Sequence, residues 1–527
     1  MRTINKQLMI DDKVLCNHVH FTVSEGEHIA LIGHNGVGKS TLLKLLSDEY
    51  DAILLEQELE SVDLVMDYIL SSRPDIYAVK QRLADDVEAI SDYIELNGYE
   101  LENKIMTYLK KFGLNAVVAE RSVNTLSGGE QTKVSLIRLL ISYKDWFLFD
   151  EPTNHIDQET KTWLMEWMQA AGQTILFVSH DREFINQTAT KIIEMTADAT
   201  HTYQMNYDDY AAEKARQERE NAALLHKENK EKQKMRRMIQ EMKEWHHEAN
   251  AKAGVRDPGA QKKVAKLAKR YKTKEHQLEQ KMSGFAARRD KQQRTEYDLK
   301  HSDFRGRYLV KAEGLSLRFD DRQLFTSASF QIRPGDKIAL TGRNGSGKTS
   351  LLKVLMNELE PSAGSFRLNP NVKVGYFSQQ LDNLNAGHTV LEEVQSLNRA
   401  ADNELRTILA AFRFGAERMG DQVAQLSMGE KCRLSFIKLY FSEANLLLLD
   451  EPTNYFDLEM QQVIEAMLQK FQGAMLFISH DSYFCEAVST RQWKIENQTL
   501  MDLDLVGEEQ GREELLNHLR QLYDILE

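Results

Sequence analysis

Cysteine is scarce in this sequence: Cys16, Cys432 and Cys485 are the three in 527 residues, and they stand far apart. They show neither the paired spacing of a zinc site nor the even count of a disulfide framework, which excludes both and fits a reducing cytoplasm. Long apolar runs are also missing. The longest, WFLF before Asp150 and NLLLL before Asp450, fall far short of the roughly 20 residues that a membrane-spanning helix needs. The opening MRTINKQLMIDDK has no apolar core of the kind a secretory signal requires. No membrane segment is expected, so a transporter role would need a separate membrane-crossing partner.

What is present is enough for two or more globular domains, since 42% of the residues are hydrophobic. The net charge of −13 hides a strong asymmetry. Residues 211–300 carry 25 Lys and Arg against 14 Asp and Glu, a net of +11, while the rest holds 42 basic against 66 acidic residues. A basic segment inside an acidic chain bears on partners rather than on fold.

The chain repeats itself. LSGGE (Leu126 to Glu130) returns as LSMGE (Leu426 to Glu430), FLFDEPTNHID ending at Asp157 returns as LLLDEPTNYFD ending at Asp457, and LFVSHD ending at Asp181 returns as LFISHD ending at Asp481. All three pairs are 300 residues apart, so two copies of one fold share their internal spacing. In each copy, β-rich runs such as HIALIG and AMLFISH alternate with segments of helical period such as LLKLLSDEY and VIEAMLQKF. This predicts an α/β fold, two tandem domains each built on a mostly parallel sheet, with ligands at the carboxyl ends of its strands.

The motifs carry nucleotide chemistry. Gly33, His34, Asn35, Gly36, Val37, Gly38, Lys39, Ser40 and Thr41 form one phosphate-binding loop. Gly342, Arg343, Asn344, Gly345, Ser346, Gly347, Lys348, Thr349 and Ser350 form the other. Each follows an apolar strand and precedes a helical segment, so that backbone N–H groups at a helix N-terminus face the phosphates. Lys39 and Lys348 neutralise β- and γ-phosphate charge, and the hydroxyls of Ser40 and Thr349 suit Mg²⁺. Asp150 and Asp450 end apolar strands within reach of that metal, and the following Glu151 and Glu451 can polarise an attacking water. His180 and His480 lie 29 residues after those glutamates and can contact the γ-phosphate. Gln57 and Gln379 each follow a short strand and offer an amide oxygen to metal or water. Ser127, Gly128, Gly129 and Glu130, like Ser427, Met428, Gly429 and Glu430, open helices whose N-termini can approach a γ-phosphate held by the other copy. ATP sandwiched between the copies is the expected arrangement, within a single monomeric chain.

With these motifs in order over both halves, the chain resembles the ATP-binding cassette superfamily. More narrowly, paired cassettes without membrane segments, a charged linker, and the strings EPTNHID and EPTNYFD are similar to its ABC-F subfamily. LSMGE, a shortened first cassette and a C-terminal extension resemble the VmlR-like and Vga-like antibiotic-resistance branch. The resemblance implies ATP hydrolysis with Mg²⁺ and action on the ribosome from the tRNA exit site, with the linker reaching towards the peptidyl-transferase centre. One composite site would then join the loop at Gly33, Gln57, Asp150, Glu151 and His180 to Ser427, Gly429 and Glu430. The other would join the loop at Gly342, Gln379, Asp450, Glu451 and His480 to Ser127 through Glu130. Phe319 falls where the family stacks an aromatic ring on adenine; Ile10 occupies the matching place in the first copy. Tyr455 replaces the histidine at His155, and Met428 replaces Gly128.

The domain limits follow as 1–206 for the first cassette, 207–300 for the linker, 301–504 for the second cassette and 505–527 for a helical extension. From Lys39 to Gln57 there are 18 positions against 31 from Lys348 to Gln379, so the first copy lacks about 13 residues of its early β region. From Gln57 to Leu126 there are 69 against 47 from Gln379 to Leu426, an insertion of about 22. It is assigned to 74–100, where the family carries an arm towards the L1 stalk. The linker has no Pro or Gly from Tyr207 to Asn250, which predicts one helix roughly 65 Å long, broken at Gly254, Pro258 and Gly259 before a second helix over 261–293. Met235, Met238, Met242 and Trp245 have the spacing of a hairpin seam. Arg236, Arg237, Lys262, Lys263, Lys266, Lys269, Arg270 and Lys272 are candidates for contact with ribosomal RNA or tRNA. The competing readings are a translation factor for stalled ribosomes, the ATPase subunit of a transporter, and a DNA-repair ATPase.

Overall fold

The buried strand HIALIG (β3, His28–Gly33) lies at the centre of the first sheet, apolar on both faces because helices cover both. The structure is a computed structural model. It describes residues 2–10, 13–55, 63–83, 85–154, 156, 158–252, 299, 306–319, 322–343, 345–378, 381, 383–397 and 400–504, with 266, 269, 272, 273 and 276.

Each copy opens with an antiparallel element. In the first, β1 (Arg2–Ile10) pairs with β2 (Lys13–Val23). The first main sheet then uses β4 (Ala52–Leu55), β5 (Trp146–Asp150), β6 (Thr174–Val178), β7 (Lys191–Met195) and β8 (Thr200–Tyr203), in the order β4-β5-β6-β3-β7-β8. In the second copy, β9 (Val310–Phe319), β10 (Arg322–Ile332) and β12 (Ala363–Leu368) form a three-stranded sheet. Its main sheet, from β11 (Lys337–Gly342), β13 (Val374–Phe377), β14 (Leu446–Asp450), β15 (Ala474–Ile478), β16 (Arg491–Glu496) and β17 (Thr499–Asp502), runs β13-β14-β15-β11-β16-β17. The two orders are the same, parallel apart from one antiparallel edge strand. The period of two is visible in β14: Leu446 and Leu448 join the core on one face, Leu447 and Leu449 the core on the other. Truncating one of these leucines to alanine would cost about 2–5 kcal/mol.

The two differences expected from spacing are both present. The helix Lys39–Glu49 leads almost directly into β4, so the described first cassette has no counterpart of β12. The helices Pro74–Lys80 and Glu88–Glu95 have no counterpart between Val390–Gln395 and Asp402–Ala411 in the second copy, so the insertion is a helical arm. Its turn back is fixed by Tyr93, buried, edge-on to Tyr99 and donating its hydroxyl to Glu102.

Both cassettes belong to one compact body, Met1–Tyr207 with Tyr297–Glu527, and Asp208–Glu296 form a second. The linker helix runs Tyr207–Lys252, 46 residues without a break, in agreement with its high content of Glu, Lys, Arg, Gln and Ala. Arg236 and Arg237 are exposed on it, and Met235 and Met238 are half-buried. Lys266, Lys269 and Lys272 are helical and exposed. Lys262, Lys263 and Arg270, most of the predicted second helix, and the extension at 505–527 lie outside the described residues. None of the described helices is long and apolar enough to cross a membrane.

Candidate ATP sites between the cassettes

The carboxyl ends of β3, β5 and β6 deliver the loop from Gly33, the pair Asp150–Glu151 and His180, and the second copy repeats this with β11, β14 and β15. The loops need glycine. Gly38 and Gly347 precede their helices at φ 101°, and a Cβ on Gly38 would come within 2.6 Å of the Leu8 side chain. Lys39 and Lys348 are buried, each donating to the first carbonyls of its own loop: Lys39 Nζ to Gly33 O at 2.7 Å, Lys348 Nζ to Gly342 O at 2.7 Å. Burial lowers the pKa of both, opposed by the carboxylates beside them.

Glu151 and Glu451 hold left-handed backbone, at φ 50° and 49°. Such a conformation costs a non-glycine residue about 1–3 kcal/mol and persists where the surroundings enforce it. Here the enforcement is the same twice: Glu151 N–H donates to Val178 O, Glu451 N–H to Ile478 O, and the backbone N–H of His180 and of His480 donates to the glutamate carboxylate. Burial pushes both glutamates up to about 7; Asp150 and Asp450 add to the rise, and Lys39 and Lys348 oppose it. A carboxyl poised near neutrality suits a general base. His180 is driven down to about 3 by burial and by Lys39, so its imidazole is neutral. Its Nε2 lies 3.1 Å from Asn35 Oδ1 and 3.5 Å from Glu151 Oε1, both acceptors, which places the proton on Nε2. Asp450 is raised by burial and accepts a hydrogen bond from Thr349. These oxygens, like those of Asp150 and Ser40, are the hard donors that Mg²⁺ requires.

Both signature elements begin helices with a full capping box. Ser127 and Glu130 cap Gly128–Leu140, and Ser427 and Glu430 cap Met428–Tyr440. The second faces the first loop: a Cβ on Gly429 would lie 3.3 Å from Asn35 Nδ2 and 2.9 Å from Tyr455 O, and Asn35 donates its backbone N–H to Asp457 and its side chain to Tyr455 O. His34 adds contacts to Asp457 and Glu459, which Arg413 also grips.

A single cavity of about 2170 Å³ runs between the cassettes. It is lined by both lysines, both Asp–Glu pairs, both histidines, Ser40, Thr41, Thr349, Ser350, Gly128, Gly129 and Ser427 through Glu430. Ile10 and Phe319, at the ends of β1 and β9, line it as well, exposed and in equivalent places. Gly33, His34, Val37, Ser127, Glu130, Gly342, Arg343 and Ser346 shape the loops or caps without lining it; Val37 packs in the core. Gln57, Gln379, Asn344 and His155 lie outside the described residues. Sequence reasoning passed over Arg322, against Gly345 and on the cavity wall, and Lys161 and Gln461, which also line it. The only sequence signal for the last two is that they occupy equivalent positions with different chemistry.

The ABC transporter family model matches residues 16–154 and 325–454. ABC transporter F family member 2 of Arabidopsis thaliana is 30% identical over 92% of this chain and 74% of its own length. The chain belongs to the F family of ATP-binding cassette proteins. The putative ATP-binding protein YdiF of Bacillus subtilis is 29% identical over 96% of the chain and 82% of its own length. Among solved structures, a model of ribosome-bound archaeal Pelota and ABCE1 matches with TM-score 0.55 at 18% identity, covering 92% of this chain and 77% of that one. That likeness establishes the tandem-cassette fold. The chain is an ATPase by family; the second signature meets the first phosphate loop at Asn35, and Gly128 and Gly129 line the same cavity as the second loop.

Proposed function

We propose that this ABC-F ATPase acts on the ribosome. ATP held between the cassettes favours the closed body that docks in the tRNA exit site, and hydrolysis releases it. Ser40 and Asp150, with Thr349 and Asp450, would hold Mg²⁺ alongside the nucleotide; Gln57 and Gln379, the further candidates from sequence, lie outside the described residues. Mg²⁺ when bound neutralises charge on the β- and γ-phosphates. Glu151 and Glu451 take the proton from the attacking water, and the imidazoles of His180, held neutral by burial, and His480 orient it. Phe319 stacks on one adenine, and apolar contact at Ile10 holds the other.

The observation that carries the ribosomal reading is the linker, a 46-residue helix with exposed Arg236 and Arg237, opening a segment of net charge +11 in an acidic protein. Its basic residues neutralise RNA phosphates near the peptidyl-transferase centre. A ribosome-bound protein of the same tandem-cassette fold agrees with this reading. The helical arm over 74–100 is suited to contact the L1 stalk, and the protein works as a cytoplasmic monomer. Ribosome protection conferring antibiotic resistance is the biological role we favour, and rescue of stalled ribosomes is the second reading.

A Glu151→Gln, Glu451→Gln chain loaded with ATP should co-sediment with ribosomes. If it stays in the supernatant, the ribosomal reading is wrong. Strains with and without the gene separate the two roles, since unchanged sensitivity to lincosamides, pleuromutilins and streptogramins rejects resistance.

A further inference from the structure

The residue after each γ-phosphate histidine is an aspartate, and the two aspartates are held from different directions. In both copies the aspartate organises its loop identically. Asp181 and Asp481 accept from the backbone N–H of Phe184 and Phe484, and donate their own N–H to Ser179 and Ser479 Oγ. Each thereby fixes the preceding histidine, whose backbone and ring touch the catalytic glutamate. The second carboxylate oxygen is where the copies part. Asp181 Oδ2 meets Lys161 of its own cassette at 2.6 Å, and Lys161 also reaches Glu183 at 2.8 Å. Asp481 Oδ2 meets Arg182 of the other cassette at 2.8 Å, and Arg182 also grips Glu465 of the second cassette.

The sequence shows that the swap is built in. At equivalent positions the first copy has Lys161, Met165, Arg182 and Glu183, and the second has Gln461, Glu465, Ser482 and Tyr483. The second copy has neither the cis lysine nor the loop arginine, and has gained a carboxylate that receives the first copy's arginine. Arg182 is buried, with its guanidinium 5.4 Å from the centre of the Tyr483 ring, which meets Tyr207 edge-on. At its histidine the first site also receives a contact across the interface, Gln461 Nε2 to His180 O at 3.2 Å. That amide is neutral and shared with Thr453 O and Phe456 O of its own cassette.

We infer that Arg182 is a positioning residue supplied in trans to the second ATP site, ordering Asp481, His480 and Glu451 when the cassettes close, while Lys161 orders the first site from within its own cassette. Hydrolysis at the second site is thus conditional on closure in a way that the first is not. A buried guanidinium bridging two carboxylates holds them firmly, and removing it leaves charge uncompensated in the interior.

The test uses the full chain and ATP alone, so it stands or falls independently of ribosome binding. Chains preloaded with two ATP are started with Mg²⁺, and hydrolysis is followed through a single turnover. In Arg182→Gln, half of the bound ATP should react at the unsubstituted rate and half about tenfold more slowly, the scale of a coupling mutation. Adding Glu451→Gln should abolish the slow half and leave the fast half. Adding Gln461→Lys to Arg182→Gln, which recreates the cis lysine, should bring the slow half back to within about threefold. Should Arg182→Gln fail to fold, Arg182→Lys, which keeps the charge but not the fork, carries the same comparison with a smaller slow-phase defect. Equal slowing of both halves, or no slowing of either, overturns the assignment.

Discussion

At the scale of single residues, Glu151 and Glu451, the proposed general bases, combine left-handed backbone with burial beside an aspartate. The consequence is a linked dependence of activity and stability on pH. A carboxyl whose folded pKa is about 7 against an ordinary 4.5 binds its proton more tightly when folded. Its contribution to stability is complete below pH 4.5 and is lost as pH rises through 7. Glutamine is neutral throughout, so the Glu151→Gln, Glu451→Gln chain should have a higher Tm than the unsubstituted protein at pH 8. The gain is on the order of 3 kcal/mol per glutamate, and calorimetry at pH 5 should find most of the difference gone. Turnover of the unsubstituted enzyme moves the other way, falling as pH drops below about 7 because protons occupy the bases. Equal Tm differences at both pH values would contradict the burial argument. These strained, buried glutamates were legible as DE pairs after apolar strands; that they lie in left-handed backbone was not, because strain arises from the β6 and β15 carbonyls, distant in sequence.

Among elements, the linker helix is the clearest case of local preference deciding structure. Its composition without Pro or Gly predicted a helix from Tyr207 to Asn250, and the helix is Tyr207–Lys252. Because Arg236 and Arg237 are exposed on it, changing both to glutamate should leave helicity by circular dichroism intact. If they neutralise RNA phosphates, the same change should weaken ribosome co-sedimentation and flatten its dependence on log salt by about one unit per arginine lost. An unchanged salt slope would show that they face solvent. The arm was legible only as extra length. Its two helices, and the tyrosine pair that turns the chain from the second of them into Gly98–Lys111, depend on side chains packing across the insertion.

For the whole molecule, both cassettes lie in one body and share one cavity lined by both loop lysines, both Asp–Glu pairs and residues of both signature elements. The Glu151→Gln, Glu451→Gln chain should therefore bind two ATP per polypeptide in equilibrium dialysis. A stoichiometry of one would mean that the departures at Ile10 or Met428 disable a site. The interface is uneven in what its contacts contribute. Arg343 and Glu159 form an exposed ion pair across it, of a kind worth roughly 0–1 kcal/mol. Arg182, buried between two carboxylates, is of the kind whose loss costs about 3–5 kcal/mol.

The amino-acid sequence determined the duplication, the sheet-and-helix alternation, the phosphate loops, the acidic pairs and the family, because each rests on local spacing or on the chemistry of a contiguous string. The shortfall of about 13 residues in the early β region of the first cassette and the length of the insertion were also countable from it. Only the tertiary structure decided which copy's side chain neutralises which aspartate, since Lys161 and Arg182 are both cations near an SHD string and no spacing tells a cis partner from a trans one. That choice depends on burial at an interface between segments about 300 residues apart, where an unpaired charge is costly and the nearest cation that closure brings within reach prevails.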